Sequence, residues 1–87
     1  MKKSSYLKYA RLILRRLLSE HAVSRSGKQM LLENVVKFIP TEERKEAKSM
    51  IKKLIRLGLL KSKPKHYGVH VWLNREKFSE IEKVLQG

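Results

Sequence analysis

The chain has no cysteine, which excludes a disulfide framework and any thiolate zinc site. A small domain without bridges suits a reducing compartment, so a cytoplasmic, intracellular location is expected. Aspartate is absent too: all eight acids are glutamates, mostly on amphipathic segments where salt bridging is the default use of a carboxylate. Glycine occurs four times with no phosphate-cradling loop, and no Ser/His/Asp set is evident. The three histidines, His21, His66 and His70, are scattered. His66 and His70, in a mostly extended segment, would stand roughly 13 Å apart at about 3.3 Å per residue, too far to share a metal. No catalytic, metal or cofactor site is therefore expected, and the chain is not expected to be an enzyme. Long apolar runs are also missing. Lys8, Arg11, Arg15 and Arg16 break up the stretches that could serve as a signal sequence, and nothing approaches the roughly 18–20 continuous apolar residues of a membrane span. Neither secretion nor a membrane partner is expected.

What the chain has in excess is positive charge. A net charge of +13 on 87 residues is unevenly spread, at +6 over residues 1–19 and +3 over 59–74, both free of acids. Residues 41–58 carry +3, residues 20–40 only +1, and residues 75–87 are neutral. Blocks of one sign built from Lys and Arg are the electrostatic footprint of a polyanion-binding surface. With 41% hydrophobic residues the chain can bury enough surface to offset its ordering entropy, so a single domain over 1–87 is expected.

The apolar spacing sets out the elements. Tyr6, Leu7, Ala10, Ile13, Leu14, Leu17 and Leu18 recur at three and four residues, predicting a helix over 5–20 with Ser4 or Ser5 as N-cap. His21 to Val23 read as a short break, with one or two residues of strand as an alternative. Ser26 to Gln29 reads as a capping box, so a second helix is predicted from Ser24 or Ser26 to Ile39, burying Met30, Leu31, Leu32, Val35, Val36 and Ile39 and stopped by Pro40. Thr41 opens a third helix whose Glu42 and Glu43 complement the macrodipole. That helix runs to Leu57, and Gly58 supplies the left-handed stop. The period then changes to alternation: strands over 59–63 and 69–73 form a hairpin with a basic tip. Asn74 caps a last helix with Phe78, Ile81, Val84 and Leu85 on its apolar stripe.

The expected class is mainly α with a small β-hairpin, in the order helix, helix, helix, strand, strand, helix. With the stretch Leu54-Ile55-Arg56-Leu57-Gly58-Leu59-Leu60 and Trp72-Leu73-Asn74, this order resembles the winged helix-turn-helix superfamily over nearly the whole chain. The resemblance implies that the third helix is a recognition helix, the hairpin a wing, and the segment after Asn74 a packing or dimerisation helix. Advancing about 100° per residue gathers Lys45, Lys48, Ser49, Lys52, Lys53 and Arg56 opposite Ala47, Met50, Ile51 and Leu54. That ridge is the candidate groove-binding face. Wing contacts are expected from Lys61, Lys63, Lys65 and His66, and from Tyr67 by stacking on a sugar or a base, although packing at the turn is the first expectation for Tyr67. Further phosphate contacts are expected from Lys2, Lys3, Lys8, Arg11, Arg15, Arg16, Arg25 and Lys28, with residues 1–4 as a basic arm.

The resemblance makes double-stranded DNA the expected partner and transcriptional regulation the expected role. RNA is the alternative, in a basic ribosome- or RNA-associated protein of the same fold. Glu42, Glu43 and Glu46 lie where helix-turn-helix proteins usually meet bases, and Ser49 is the main uncharged reader, so general nucleic-acid affinity is expected ahead of sequence-specific reading. A homodimer through the first or last helix is a further expectation.

Overall fold

Helix α1 spans Lys3–Ser19 and ends in a two-bond stop. The Ala22 N–H donates to the Leu17 carbonyl at 2.9 Å and the His21 N–H to that of Leu18 at 3.0 Å, with His21 in the left-handed region at φ 57°. This is a Schellman ending with histidine where glycine is usual. The computed structural model describes residues 3–23 and 28–86. The helix begins at Lys3, so neither Ser4 nor Ser5 stands at its N-cap and Lys3 and Ser4 are helical rather than part of an arm. The proposed capping-box residues Ser26 and Gly27 lie outside the described residues.

The predicted second helix is the main departure. Met30–Leu31 form a short strand, β1, and only Leu32–Val35 are helical, as α2. Met30 pairs with Val71 and Leu31 with His70, so the backbone that was expected to continue a helix is drawn into the sheet. The same apolar residues still face inward: Met30, Val35, Val36 and Ile39 are buried. Beyond α2 the chain turns at Pro40, and Arg44 completes the turn from the following helix, donating Nε to the Ile39 carbonyl and Nη2 to that of Lys37, each at 2.8 Å.

A 3-10 turn over Thr41–Glu43 precedes α3, Arg44–Arg56, so Thr41 begins a tighter turn rather than capping the α-helix. Gly58, at φ 85°, ends α3 by the same two-bond device: its N–H reaches the Ile55 carbonyl and that of Leu59 reaches Leu54, each at 3.0 Å. Strands β2, Leu60–Lys65, and β3, Gly68–Leu73, are longer than the alternation predicts and leave a two-residue tip, His66-Tyr67. The sheet order is β1-β3-β2, antiparallel throughout. Pro64 therefore sits on an edge strand, where its missing N–H is tolerated. A second 3-10 turn, Arg75–Lys77, leads into α4, Phe78–Gln86.

The structure is mainly helical with a small antiparallel sheet, and its helix, helix, helix, strand, strand, helix order is the one expected, with β1 added. This arrangement is compatible with a winged helix. One core joins all the layers: Ile13, Leu14 and Leu17 of α1, Ala47, Ile51 and Leu54 of α3, Val71 and Leu73 of β3, and Ile81 of α4 are buried.

Asn74 fastens the end of α3 to the start of the last helical segment. Its Nδ2 donates to the Gly58 carbonyl at 2.8 Å, its Oδ1 accepts from the Glu76 N–H at 3.2 Å, and it is 9% exposed. Replacing Asn74 with alanine removes a cap and leaves a carbonyl unpaired, so Asn74→Ala should cost about 2 kcal/mol of unfolding free energy, read from urea denaturation.

Candidate nucleic-acid interface

The buried face of α3 consists of Ala47, Met50, Ile51 and Leu54, which turns the opposite side of the helix to solvent. Lys45, Ser49, Lys52, Lys53 and Arg56 are exposed and Lys48 is half-buried, as helical spacing requires. Lys48 is tied down: its Nζ lies 2.9 Å from a Glu33 oxygen, an ion pair that links α3 to α2. Among the described residues no carboxylate pairs with Lys45, Lys52 or Arg56.

The hairpin adds a second row. Leu60, at the start of β2, is buried, while Lys61 to Tyr67 are exposed. Lys61, Lys63 and Lys65 are two residues apart and share one face of the edge strand, opposite Trp72, His70 and Gly68 of β3. At about 3.4 Å per residue the amines leave the backbone at intervals of about 7 Å. Among the described residues these three also lack a carboxylate partner. The tip residue Tyr67 is 73% exposed, its ring centroid 5.8 Å from that of His70 in an edge-type contact. It stands out from the turn instead of packing into it, which corrects the expectation of a packed tyrosine.

The first helix divides the other way. Lys8 and Arg15 are exposed. Arg11 instead donates Nε to the Val84 carbonyl at 3.1 Å, capping the final turn of α4, where a cation is favoured by the free carbonyls. Arg16 lies over the Phe38 ring, 5.7 Å from its centroid, with Nη1 3.5 Å from Glu20. Lys28 pairs with the same carboxylate at 2.9 Å, and this hydrogen bond holds Glu20 below the usual carboxylate range. Three cations expected to reach phosphate, Arg11, Arg16 and Lys28, are thus engaged within the protein. Lys2 and Arg25 lie outside the described residues. Helices α1 and α4, the expected dimer surfaces, are joined to each other by the Arg11 bond, and Leu18 and Phe78 remain exposed on them.

The acids ahead of α3 have a partly structural use. The Glu43 carboxylate accepts a hydrogen bond from the buried Tyr9 hydroxyl of α1. This bond, with burial and the charges of Glu43 and Glu46, pushes the Tyr9 hydroxyl up to about 12 from its ordinary value. A proton held more tightly in the folded state stabilises it below the ordinary tyrosine range, and that contribution is lost as pH rises through about 12. Urea midpoints measured from about pH 9 to about pH 12 should therefore fall more steeply for the wild type than for Tyr9→Phe. Equal slopes would show that the bond does not form.

Among the described residues no group of three or more histidines and glutamates is placed to hold a metal ion, and no helix is long and apolar enough to cross a membrane. Comparison with protein-family models, with functionally characterised proteins and with solved structures finds no match for the chain.

Proposed function

We propose that this chain is a winged-helix protein that binds double-stranded DNA, with α3 entering the major groove and the β2–β3 hairpin lying along the neighbouring phosphate backbone. The observation that carries the reading is the sorting of cations by partner. Arg11, Arg16, Lys28, Arg44 and Lys48 are bonded within the protein. Among the described residues Lys45, Lys52 and Arg56 on α3, and Lys61, Lys63 and Lys65 on β2, are exposed without a carboxylate partner, as are Lys8, Arg15, Lys37, Arg75 and Lys77 elsewhere; α3 and β2 are where they form rows. Cations held apart from acids on two successive elements suit an external polyanion, because a merely soluble surface intersperses both signs. Transcriptional regulation is the role proposed for such a protein.

One observation favours RNA as a second reading. Ser49 is the only uncharged polar side chain on the exposed face of α3, and Glu42 and Glu46 are exposed near its amino end. Such a face engages backbone charge better than base edges, and RNA offers the same charge.

Fluorescence anisotropy with a labelled duplex and a structured RNA of equal length tests both. Six cations from α3 and β2, or eight with Lys8 and Arg15, give a log–log salt slope of about −5 to −7 on the duplex. A slope near zero refutes the reading. Tighter binding to RNA at every salt concentration replaces it with the second.

A further inference from the structure

We propose that the cleft between α1, the β1–α2 segment and the hairpin binds the oxyanion group of a small organic molecule. The cleft has a volume of about 560 Å³, within the range of small-molecule sites and far larger than a single water requires. Its walls include Arg16 of α1, Leu31 of β1, Asn34 of α2, Lys37 beyond it, and Tyr67 and His70 of the hairpin.

Two observations independent of volume point to the ligand. Among the described residues, the buried side-chain polar atoms without a hydrogen-bond partner are Arg16 Nε and His70 Nε2. Both belong to side chains lining this one cleft. Buried polar groups are ordinarily satisfied by protein or by ordered water, so two such atoms in one cleft mark a place where an acceptor, a water or a ligand oxygen, is expected to bind. Arginine Nε carries a hydrogen and can only donate, so the missing group is an acceptor. The second observation is charge: Arg16, Lys28 and Lys37 line the cleft with a single carboxylate, Glu20, which is already paired to Arg16 and Lys28. A neutral acceptor would satisfy the hydrogen bonds, whereas an anion satisfies the charge as well.

Glu20 and the Phe38 ring hold Arg16 at the cleft wall; its Nε is buried there, so a ligand oxygen reaches it once the side chain shifts toward the cleft. His70 occupies the central strand between Leu31 and Lys63, with the Tyr67 ring against its edge. Leu31 and Tyr67 supply apolar surface for the body of the ligand. Carboxylate and phosphate share the required chemistry, and the cleft lies apart from the outer face of α3.

Nitrogen–proton NMR on the whole chain without DNA tests the site, so the result does not depend on the DNA-binding reading. Sodium benzoate and inorganic phosphate are titrated separately at constant ionic strength, with chloride as reference. Saturable shifts of the Arg16 Nε–H and His70 ring signals by benzoate identify a carboxylate site, and by phosphate a phosphate site. Arg16→Lys and His70→Phe should each weaken the response at least tenfold, the loss expected for one hydrogen bond to an anion, while their melting transitions confirm folding. The proposal is overturned if both signals move no more than with chloride, if both variants respond as wild type does, or if only added duplex DNA moves them.

Discussion

Replacing Lys45, Lys52 and Arg56 with alanine should weaken duplex DNA binding about 500-fold at about 0.1 M salt and make the log–log salt slope shallower by about 2.7. Each neutralised phosphate contributes about 0.9 to that slope, so between about 1 M and 0.1 M salt each contact accounts for roughly 0.9 decade of affinity. Three contacts then give the stated loss. The substitutions lie on the exposed face of α3, opposite its buried residues, so melting should stay close to that of the wild type. Lys48→Ala is the internal comparison. Because Lys48 is bonded to Glu33, its removal should cost less affinity than Lys52→Ala, although the two lysines lie four residues apart on one helix. If Lys48→Ala proves as damaging as Lys52→Ala, the ion pair breaks on binding and the ridge is wider than the free structure presents. If the triple variant keeps wild-type affinity, α3 is not the DNA-facing element.

The contrast between Lys48 and Lys52 marks where sequence reading stops. Period alone places both on the polar face of α3, and it does so correctly. Which of them is held in an internal ion pair depends on Glu33, fifteen positions away in the chain and brought beside Lys48 by the fold. The same holds for Arg11, whose acceptor is Val84, and for the Tyr9–Glu43 bond. Long-range partners of this kind leave no local pattern.

Elements with strong periodicity were legible: α1, α3, α4 and the hairpin stand where spacing puts them, and Gly58 and Asn74 serve as stop and cap. Two features were not. Met30-Leu31-Leu32 is an apolar run without period, and such a run fits a buried strand or a buried helix equally well. Pairing with β3 decides in favour of β1. His21 takes a left-handed conformation that sequence signals reserve for glycine or asparagine, held there by the two bonds that end α1. The cleft beside the hairpin was illegible for the first reason: β1 is what brings Leu31 beside His70.

Leu73→Ala should lower the unfolding free energy by about 3 kcal/mol. For a domain of this size each kcal/mol shifts the melting temperature by about 4–8 °C, so the transition should fall by about 12–24 °C. Leu73 is fully buried at the end of the central strand, opposite Leu60 of β2, and its N–H donates to the Ala22 carbonyl at 2.7 Å. It therefore stands where the sheet meets the chain leaving α1, and truncation opens a cavity that rigid elements on several sides cannot close. Against a total stability of roughly 4–13 kcal/mol expected at this length, that loss is large. Leu57→Ala supplies the contrast: Leu57 is 57% exposed, and its truncation should change stability by no more than about 0.5 kcal/mol. Calorimetry on both variants checks the pair, and DNA titration well below the lowered melting temperature completes the test. Folded Leu73→Ala should keep the wild-type salt slope, because none of the exposed cations is altered. The triple α3 variant should do the reverse, keeping its melting temperature and losing its slope. If instead both kinds of substitution moved stability and binding together, the basic surface and the core would be one coupled unit, and assigning the unpaired lysines to an external polyanion would lose its main support.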